Sequence, residues 1–490
     1  MTNADRKAVI IGAGLGGLAL ALRLAARGYR VTVCERGASI GGKMNHWSSN
    51  GFTFDTGPSL ITMPWVFRET FAACGERMED HIELVSMRPI MEAVYPDGTR
   101  FLYSNNMPDW LETVRNLDAR DVDGFFRLMR LGARIYELSK ETFLRRPPSA
   151  PPDARVFRAL RHFPLRHAWG NYACAVAAHV RSPYLRQLYN RYPTYVGSSP
   201  YASPATLLVI PYIEYAFGGW YVKGGLYKIV EALQRIAAKN GVEVLTQTGV
   251  TRIETEAGRA SAVETEDGRR IAADIVVMNG DHAATHRLLG SAPSNDATEA
   301  RSMSGVVNLL GVRKQLPKLY HHTVYFSSDY PAEFDQIFRL RQFPEEPTVY
   351  VSAPSRGDRS LVPDDGEALF LMANAPATGD HSWQPQEPVV RERMFSVLRR
   401  GGFPVLPSDI AVDQLWTPET IAQRYDMPGG AIYGTHSHGW RSAFLRPANR
   451  DAKVRGLYYV GGSTHPGGGT PTVLISARIT GELIQREEPA

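Results

Sequence analysis

The sequence predicts an α/β protein in which one parallel-sheet domain is interrupted twice by a second, α+β domain. Three observations predict it. The chain opens on strand, glycine turn, helix and strand between Lys7 and Glu35. It closes on a strand, a second glycine-rich loop and a helix, from Leu457 to Gln485. Between these ends, Ala273-Asp274-Ile275-Val276-Val277-Met278-Asn279 is a buried-strand pattern that runs into a polar switch point, so the chain returns to the first domain after leaving it.

The opening apolar run, Ala8-Val9-Ile10-Ile11, is long enough for one buried strand. Gly12-Ala13-Gly14-Leu15-Gly16-Gly17 comes next and fits G-x-G-x-x-G with Gly12, Gly14 and Gly17. Leu18 to Leu24 is a strong helix former, ended by Gly28, and Arg30 to Cys34 is a second strand that hands over to Glu35. This is a Rossmann-like dinucleotide-binding unit, complete within about thirty residues. Gly12 permits the tight turn, Gly14 lets the backbone approach a pyrophosphate, and Gly17 lets helix and strand pack closely. The helix start offers unpaired N–H groups and the positive end of its dipole to phosphates. Glu35 is placed to accept hydrogen bonds from ribose hydroxyls, and its charge disfavours a 2′-phosphate.

The segment after this unit narrows the dinucleotide. Beyond Glu35-Arg36 come Gly41-Gly42-Lys43 and then Gly51-Phe52-Thr53-Phe54-Asp55-Thr56-Gly57-Pro58. A nicotinamide domain proceeds here to a further crossover helix. This chain supplies instead a second glycine turn with a cation and an aromatic-rich strand. The run E-R-x-x-x-x-G-G-[KR] resembles the flavoprotein amine oxidase superfamily, in which it wraps FAD, with Lys43 in the basic place. The other reading is two glycine-rich surface turns.

At 490 residues, two domains are expected, and 43% hydrophobic with 21% charged residues is a globular composition. No apolar run approaches the ~20 residues of a membrane-spanning helix, and the first ten residues carry no signal-peptide core, which predicts a cytoplasmic protein. Three separated cysteines (Cys34, Cys74, Cys174) give neither a disulfide framework nor a metal knuckle. A net charge of +5 is too small to argue for nucleic acid, and no nucleic-acid motif supports one. Charge location says more. Arg145, Arg146, Arg155, Arg158, Arg161 and Arg166 interleave with Phe143, Leu144, Phe157, Phe163 and Trp169. That mixture suits the interface of an anionic membrane, the reading favoured over an amphipathic helix packed on its own domain with a solvated basic face.

In order along the chain, Ile90 to Tyr103 reads as a hairpin around Pro96-Asp97-Gly98. Residues 107–235 are mostly helical in pattern. Within them Tyr201 to Tyr221, poor in charge and rich in bulky apolar residues, is either the lining of a wide cavity or plain core. A helix from Leu226 to Lys239 leads into a short β-meander that takes in Val242–Leu245, Val250–Thr255, Ala262–Thr265 and Arg270–Ala273. A second excursion holds strands at Val306–Val312, Thr348–Ser352 and Ala368–Ala373 and a helix at Val389–Arg400. The resulting division is 1–90, 222–295 and 446–490 for the nucleotide domain, and 91–221 and 296–445 for the substrate domain, with 107–205 its helical part.

Leu457-Tyr458-Tyr459-Val460-Gly461-Gly462 and Thr464-His465-Pro466-Gly467-Gly468-Gly469-Thr470-Pro471-Thr472-Val473 precede a helix from Leu474 to Gln485. A helix start behind a glycine loop is again an anion or dipole site. Together with G-A-G-L-G-G-L, G-F-T-F-D-T-G-P and W-Y-V-K-G-G-L, this ending resembles the phytoene desaturase family of bacterial carotenoid desaturases, over nearly the whole chain. The resemblance implies bound FAD, a two-excursion fold, and peripheral attachment to the cytoplasmic membrane. It implies that Gly12, Gly14, Gly17, Glu35, Arg36, Gly42, Lys43 and Val250 hold the ADP half of FAD. Gly461, Gly462, Pro471, Thr472 and Val473 would then hold the flavin half. The implied substrate is a long linear isoprenoid, phytoene or a C30 counterpart, desaturated by hydride transfer to flavin N5 and loss of a neighbouring proton. Later-acting desaturases, isomerases and oxidases of hydroxylated or methoxylated carotenoids share the same motifs, so they stay open. Other amine-oxidase-type enzymes and a lipid-binding member without turnover stay open too.

The residues are consistent with that chemistry, since the cofactor carries the difficult step and a hydrocarbon binds through buried area. No G-x-S-x-G, H-E-x-x-H or C-x-x-C is present. His436-Ser437-His438 places two imidazoles close in sequence without a third ligand, so no metal site is assigned. His465 either positions the flavin ring or stabilises its own loop. No residue stands out as a general base, and the catalytic residues stay unassigned.

Overall fold

The structure is a computed structural model that describes residues 6–144, 146–147, 170–291, 301–377, 382–438 and 446–488. The segment that carries most of the basic–aromatic mixture, 148–169, lies outside the described residues, as does Arg145.

A five-stranded, wholly parallel sheet organises the chain, in the order Leu457–Tyr459, Ile275–Met278, Lys7–Ile11, Arg30–Cys34, Glu243–Leu245. The opening strand (β1, Lys7–Ile11) is central and buried after its first residue, as its apolar run requires. The helix behind it (α1, Leu15–Ala25) is buried along almost its whole length. It lies between the helices Tyr227–Lys239 and Thr470–Glu487 in one large apolar cluster. A helix walled in this way can be apolar nearly all round, and from Leu18 to Leu24 the one exception is Arg23, buried and paired with Glu69 at 3.6 Å.

A second sheet of seven strands takes the hairpin Met91–Val94/Arg100–Tyr103 together with strands from 304 to 416. Its order is Ile410–Trp416, Ser304–Val312, Glu367–Ala375, Val349–Ser352, His322–Tyr325, then the hairpin. All neighbours are antiparallel except His322–Tyr325 against Met91–Val94. The helix Glu387–Arg400 packs on one face of this sheet. The ribbon His46–Ser49/Phe52–Asp55 lays Phe52 and Phe54 on the other, among Val307, Leu309 and Phe370.

Three readings change. Glu243–Leu245 pairs in parallel with Arg30–Cys34 at the edge of the first sheet and is not part of the meander, which comprises Val250–Glu256, Arg259–Thr265 and Arg270–Ala272. The helix Tyr227–Lys239 packs beside α1, so the strand it feeds lands on that open edge. The last helix starts at Thr470, not Leu474, because Pro471 needs no N–H partner in a first turn. The stretch from Tyr201 to Tyr221 becomes a short 3₁₀ turn, the helix Val209–Phe217 and the strand Trp220–Val222, with Leu208 and Tyr215 in the core. Its single acid, Glu214, is buried and paired with Arg191 at 3.2 Å.

Candidate functional site

Backbone from five parts of the chain converges beyond the carboxyl ends of the parallel strands, at the crossover between β1 and Ile275–Met278, where ligands of such sheets bind. The first part is the glycine loop. Gly12 has φ +100° and donates its N–H to the Cys34 carbonyl at 2.7 Å. A Cβ on Gly17 would lie 2.4 Å from the Gly12 carbonyl oxygen, so only glycine lets α1 start this close to the strand. Gly14 caps the helix in an extended conformation, and the first N–H groups of α1 have no partner within the helix.

The second part is the turn Gly41–Gly42. Gly41 donates its N–H to the Ala13 carbonyl at 2.8 Å, and a Cβ on Gly42 would stand 3.2 Å from the Cα of Gly14. Two stretches of bare backbone therefore lie against each other, leaving a cradle that any side chain would fill. Glu35 closes its rim. One carboxylate oxygen accepts the Ala13 N–H and the other the Gly37 N–H, each at 2.8 Å. Each oxygen retains a lone pair for a hydroxyl. The residues just before Val250 bond this same corner, Thr248 N–H to the Glu35 carbonyl and Gln247 N–H to the Gly37 carbonyl.

The third part is Asn279, at the end of its strand. Its Nδ2 donates to the Gly12 carbonyl at 2.9 Å, and its Oδ1 would meet a Cβ on Gly16 at 2.8 Å and one on Gly461 at 3.3 Å. Asn279 thus joins the first glycine loop to the last. Its one sequence signal was the polar end of an apolar run.

The fourth part is the closing loop. Gly461, at φ +119°, donates its N–H to Ser476 Oγ, and Gly462 lies against Gly468. Val473 reaches back to Gly16, 2.9 Å from where its Cβ would stand. Thr472 donates its hydroxyl to the Gly468 and Gly469 carbonyls at 2.7 and 2.8 Å, which fixes the loop at the helix start, and Pro471 occupies the first turn.

The fifth part, the loop 428–434, was not among the sequence candidates. Lys43 donates to the Ile432 carbonyl at 2.6 Å. Burial pushes the Lys43 ammonium down to about 8, against the pull of Asp281. The Tyr433 ring wedges between Gly197 and Gly468, where added Cβ atoms would stand 2.6 and 2.7 Å from it. Arg446 donates to the Tyr433 carbonyl and to Ser437 Oγ, and burial lowers it to about 10, which still leaves it charged. Arg36 stands off from the cradle, with its guanidinium on the Gln423 carbonyl at 2.9 Å.

The histidines do other work. The rings of His436 and His438 stack at 3.9 Å, and His438 Nε2 accepts the Ser199 N–H, which requires a neutral ring. Burial accordingly pushes His438 down to about 3. Among the described residues no group of three metal-ligating side chains occurs. His465 bonds the Arg146 carbonyl through Nε2 at 2.9 Å and lies edge-on to Phe143, which favours the loop-stabilising reading.

Fold and cradle together define a dinucleotide-dependent oxidoreductase. The glycine cradle, the free helix starts and the hydroxyl-accepting Glu35 fit the diphosphate and ribose of such a cofactor, and comparison with known proteins names it. Residues 15–484 match the model of the flavin containing amine oxidoreductases. The chain is 35% identical to a zeta-carotene-forming phytoene desaturase of Myxococcus xanthus, over 98% of this chain and 94% of that protein. It is 34% identical to the hydroxyneurosporene desaturase of Rubrivivax gelatinosus, over 98% and 93%. It is 31% identical to a 4,4′-diapolycopene oxygenase of Methylomonas, over 99% of each. Among solved structures it resembles an oxidoreductase from Methanosarcina mazei (TM-score 0.65, 19% identity, 97% of this chain and all of that one). It also resembles a putrescine oxidase (TM-score 0.64, 13% identity, 98% and 99%). The chain belongs to the flavin-containing amine oxidoreductases, within the family of the carotenoid desaturases. It is an FAD-dependent enzyme.

Proposed function

We propose that the protein desaturates a long linear isoprenoid, phytoene or a related C30 or C40 carotenoid, at a membrane surface. The observation that carries the reading is the glycine cradle that fits FAD, in a chain alike from end to end to carotenoid desaturases. When bound, FAD supplies a hydride acceptor at N5. Every other part of the reaction falls to the chain.

In this reading Gly12, Gly14, Gly17, Gly42 and the α1 start take the diphosphate. Glu35 takes a ribose hydroxyl, with Val250 beside it. Gly461, Gly462, Pro471, Thr472 and Val473 border the flavin ring, and the helix start at Thr470 favours negative charge on its pyrimidine edge. Asn279 keeps the two loops in register. Lys43 acts from behind, holding the 428–434 loop against the cradle. A hydrocarbon would bind through buried apolar area, at about 25 cal/mol per Å2, which also keeps water from the reacting carbon.

The nucleotide part comprises 1–90, 222–295 and 446–490, and the substrate part 91–221 and 296–445. Among the described residues no helix is long and apolar enough to cross a membrane. Attachment therefore falls to the surface, with the basic–aromatic segment from Phe143 to Trp169 as the contact, on the cytoplasmic face.

The test supplies membrane-reconstituted, FAD-loaded protein with C30 and C40 polyenes, both hydrocarbon and hydroxylated, and reads pigment spectra and product mass. A red-shifted product lacking two hydrogens per step is expected. Bound flavin that no polyene reduces would refute the reading.

A further inference from the structure

Two cations grip consecutive carbonyls of the loop 428–434. Lys43 holds that of Ile432 at 2.6 Å, and Arg446 holds that of Tyr433 at 3.2 Å. Arg446 is 6% exposed, and its other hydrogen bond runs to a neutral group, Ser437 Oγ, at 3.1 Å. Neither cation forms an ion pair among the described residues. The acid whose field reaches both is Asp281, which accepts the Ala283 N–H on one oxygen. The two histidines that feel the Arg446 charge, His436 and His465, are held neutral by burial. This corner therefore carries one positive charge more than its acids answer, and a buried charge is costly until an opposite one meets it.

Of the two cations, Lys43 follows the Gly41–Gly42 turn and stands on the diphosphate side. Arg446 belongs to the closing loop. A Cβ on Gly467 would stand 2.9 Å from Arg446 Nε, and one on Gly468 would stand 2.7 Å from the Tyr433 ring. Two of the three consecutive glycines are thus bare because a guanidinium and a ring are seated on them. Thr470 follows directly and starts an 18-residue helix, whose N-terminal end adds a partial positive charge of the same sign. Whole and partial charge together favour an anion at this loop. Hydride transfer creates one, because a hydride brings two electrons and one proton, and its acceptor gains a negative charge unless a second proton follows.

We propose that Arg446, seated on Gly467, is the charge that balances the flavin's pyrimidine edge when the ring is reduced, and so sets the redox poise of the bound cofactor. The assignment rests on the flavin placement given above and adds a side chain to it. Tyr433 and Ser437 fix the guanidinium, and its field acts across the closing loop, so Arg446 is a positioning residue. Asp281 offsets part of that field.

The experiment uses the FAD-loaded protein with no polyene present. It reads the midpoint potential, by equilibration with a reference dye, and the pH at which flavin N3 loses its proton, by absorbance. Arg446→Met should lower the ratio of reduced to oxidised flavin at a fixed potential about 10-fold, which is about 30 mV for two electrons. It should also raise the N3 titration by about one pH unit. Arg446→Lys keeps the charge and should restore most of both values. Asp281→Asn keeps an oxygen for the Ala283 N–H, removes the offsetting acid and should move both quantities the opposite way, which keeps the test open if Arg446→Met does not fold. Values unchanged in Arg446→Met, or displaced equally in Arg446→Lys, overturn the assignment, as does an Asp281→Asn protein that shifts neither or shifts in the same direction as Arg446→Met. Thr472→Val, which loses the bonds to the Gly468 and Gly469 carbonyls, tests the placement separately. If it leaves the flavin absorption spectrum untouched, the placement and the assignment fall together; if it changes the spectrum while Arg446→Met moves neither quantity, the assignment falls alone.

Discussion

Replacing Gly17 by alanine tests the cradle with a single methyl group. Gly17 sits in the first turn of α1 at negative φ, so alanine brings no backbone strain there, and the whole effect is steric. The new Cβ would stand 2.4 Å from the Gly12 carbonyl oxygen and 2.8 Å from Asn279 Nδ2, the two atoms that already bond each other. Relief to at least 3.0 Å requires the helix start to back away by about 0.6 Å or the Gly12–Asn279 bond to break. Overpacking of this size costs about 1–3 kcal/mol, and the lost hydrogen bond about 1 kcal/mol more. Both displacements fall on the diphosphate cradle, so FAD affinity should drop at least about 10-fold, which is 1.4 kcal/mol. The control is Gly98→Ala at the 95–99 turn, where φ is +89° and nothing lies within 4 Å. That change costs about 1–2 kcal/mol of backbone strain and leaves flavin binding alone. Flavin-fluorescence titration of apoprotein and urea unfolding measure the two effects separately. A Gly17→Ala protein with wild-type affinity and midpoint would refute the close-approach argument.

Three other parts of the molecule lend themselves to similar tests. Because the Lys43 ammonium sits at about 8 when folded against an ordinary 10.5, the unfolded chain holds that proton more tightly. Stability should therefore rise as pH climbs from about 8 to 10.5, by about 3 kcal/mol, and Lys43→Met should lose this rise in urea titrations at several pH values. Arg191 and Glu214 are buried partners, with Glu214 also accepting from Tyr192 and Tyr195 at 2.6 and 2.9 Å. Arg191→Met alone should cost about 3–5 kcal/mol, and the double variant Arg191→Met/Glu214→Leu should recover much of it, as thermal unfolding would report. Sedimentation with lipid vesicles should show binding to anionic but not neutral bilayers, weakened by raising salt from about 0.1 to about 0.5 M; equal binding to both would rule out the basic segment as the contact.

The sequence determined the parts whose constraints are local. A turn with φ near +100° at Gly12 and a Cβ-free approach at Gly17 admit one residue type, so the glycine loop declares itself without any partner in view. The apolar runs of β1 and Ile275–Met278 declare burial on both faces in the same way. The C-terminal loop was legible because a second glycine cluster before a helix repeats the first pattern.

Only the tertiary structure decided the meetings across long stretches of chain. Asn279 reaches Gly12 across 267 residues, and Lys43 reaches Ile432 across 389, and the sequence that marks Asn279 and Lys43 as notable does not name either partner. Glu243–Leu245 read as part of a meander because three apolar-leaning residues do not say which edge they will pair with; the packing of the preceding helix decides that. The hydrogen-bonded run Ser59–Tyr350–His322 exists only because antiparallel register puts 322 opposite 352 and leaves 350 on the same face, beneath a ribbon from the other domain. Backbone conformation is written residue by residue, whereas side-chain encounters at this range depend on register and on which sheet edge each strand finds. A single sequence carries no separate signal for either.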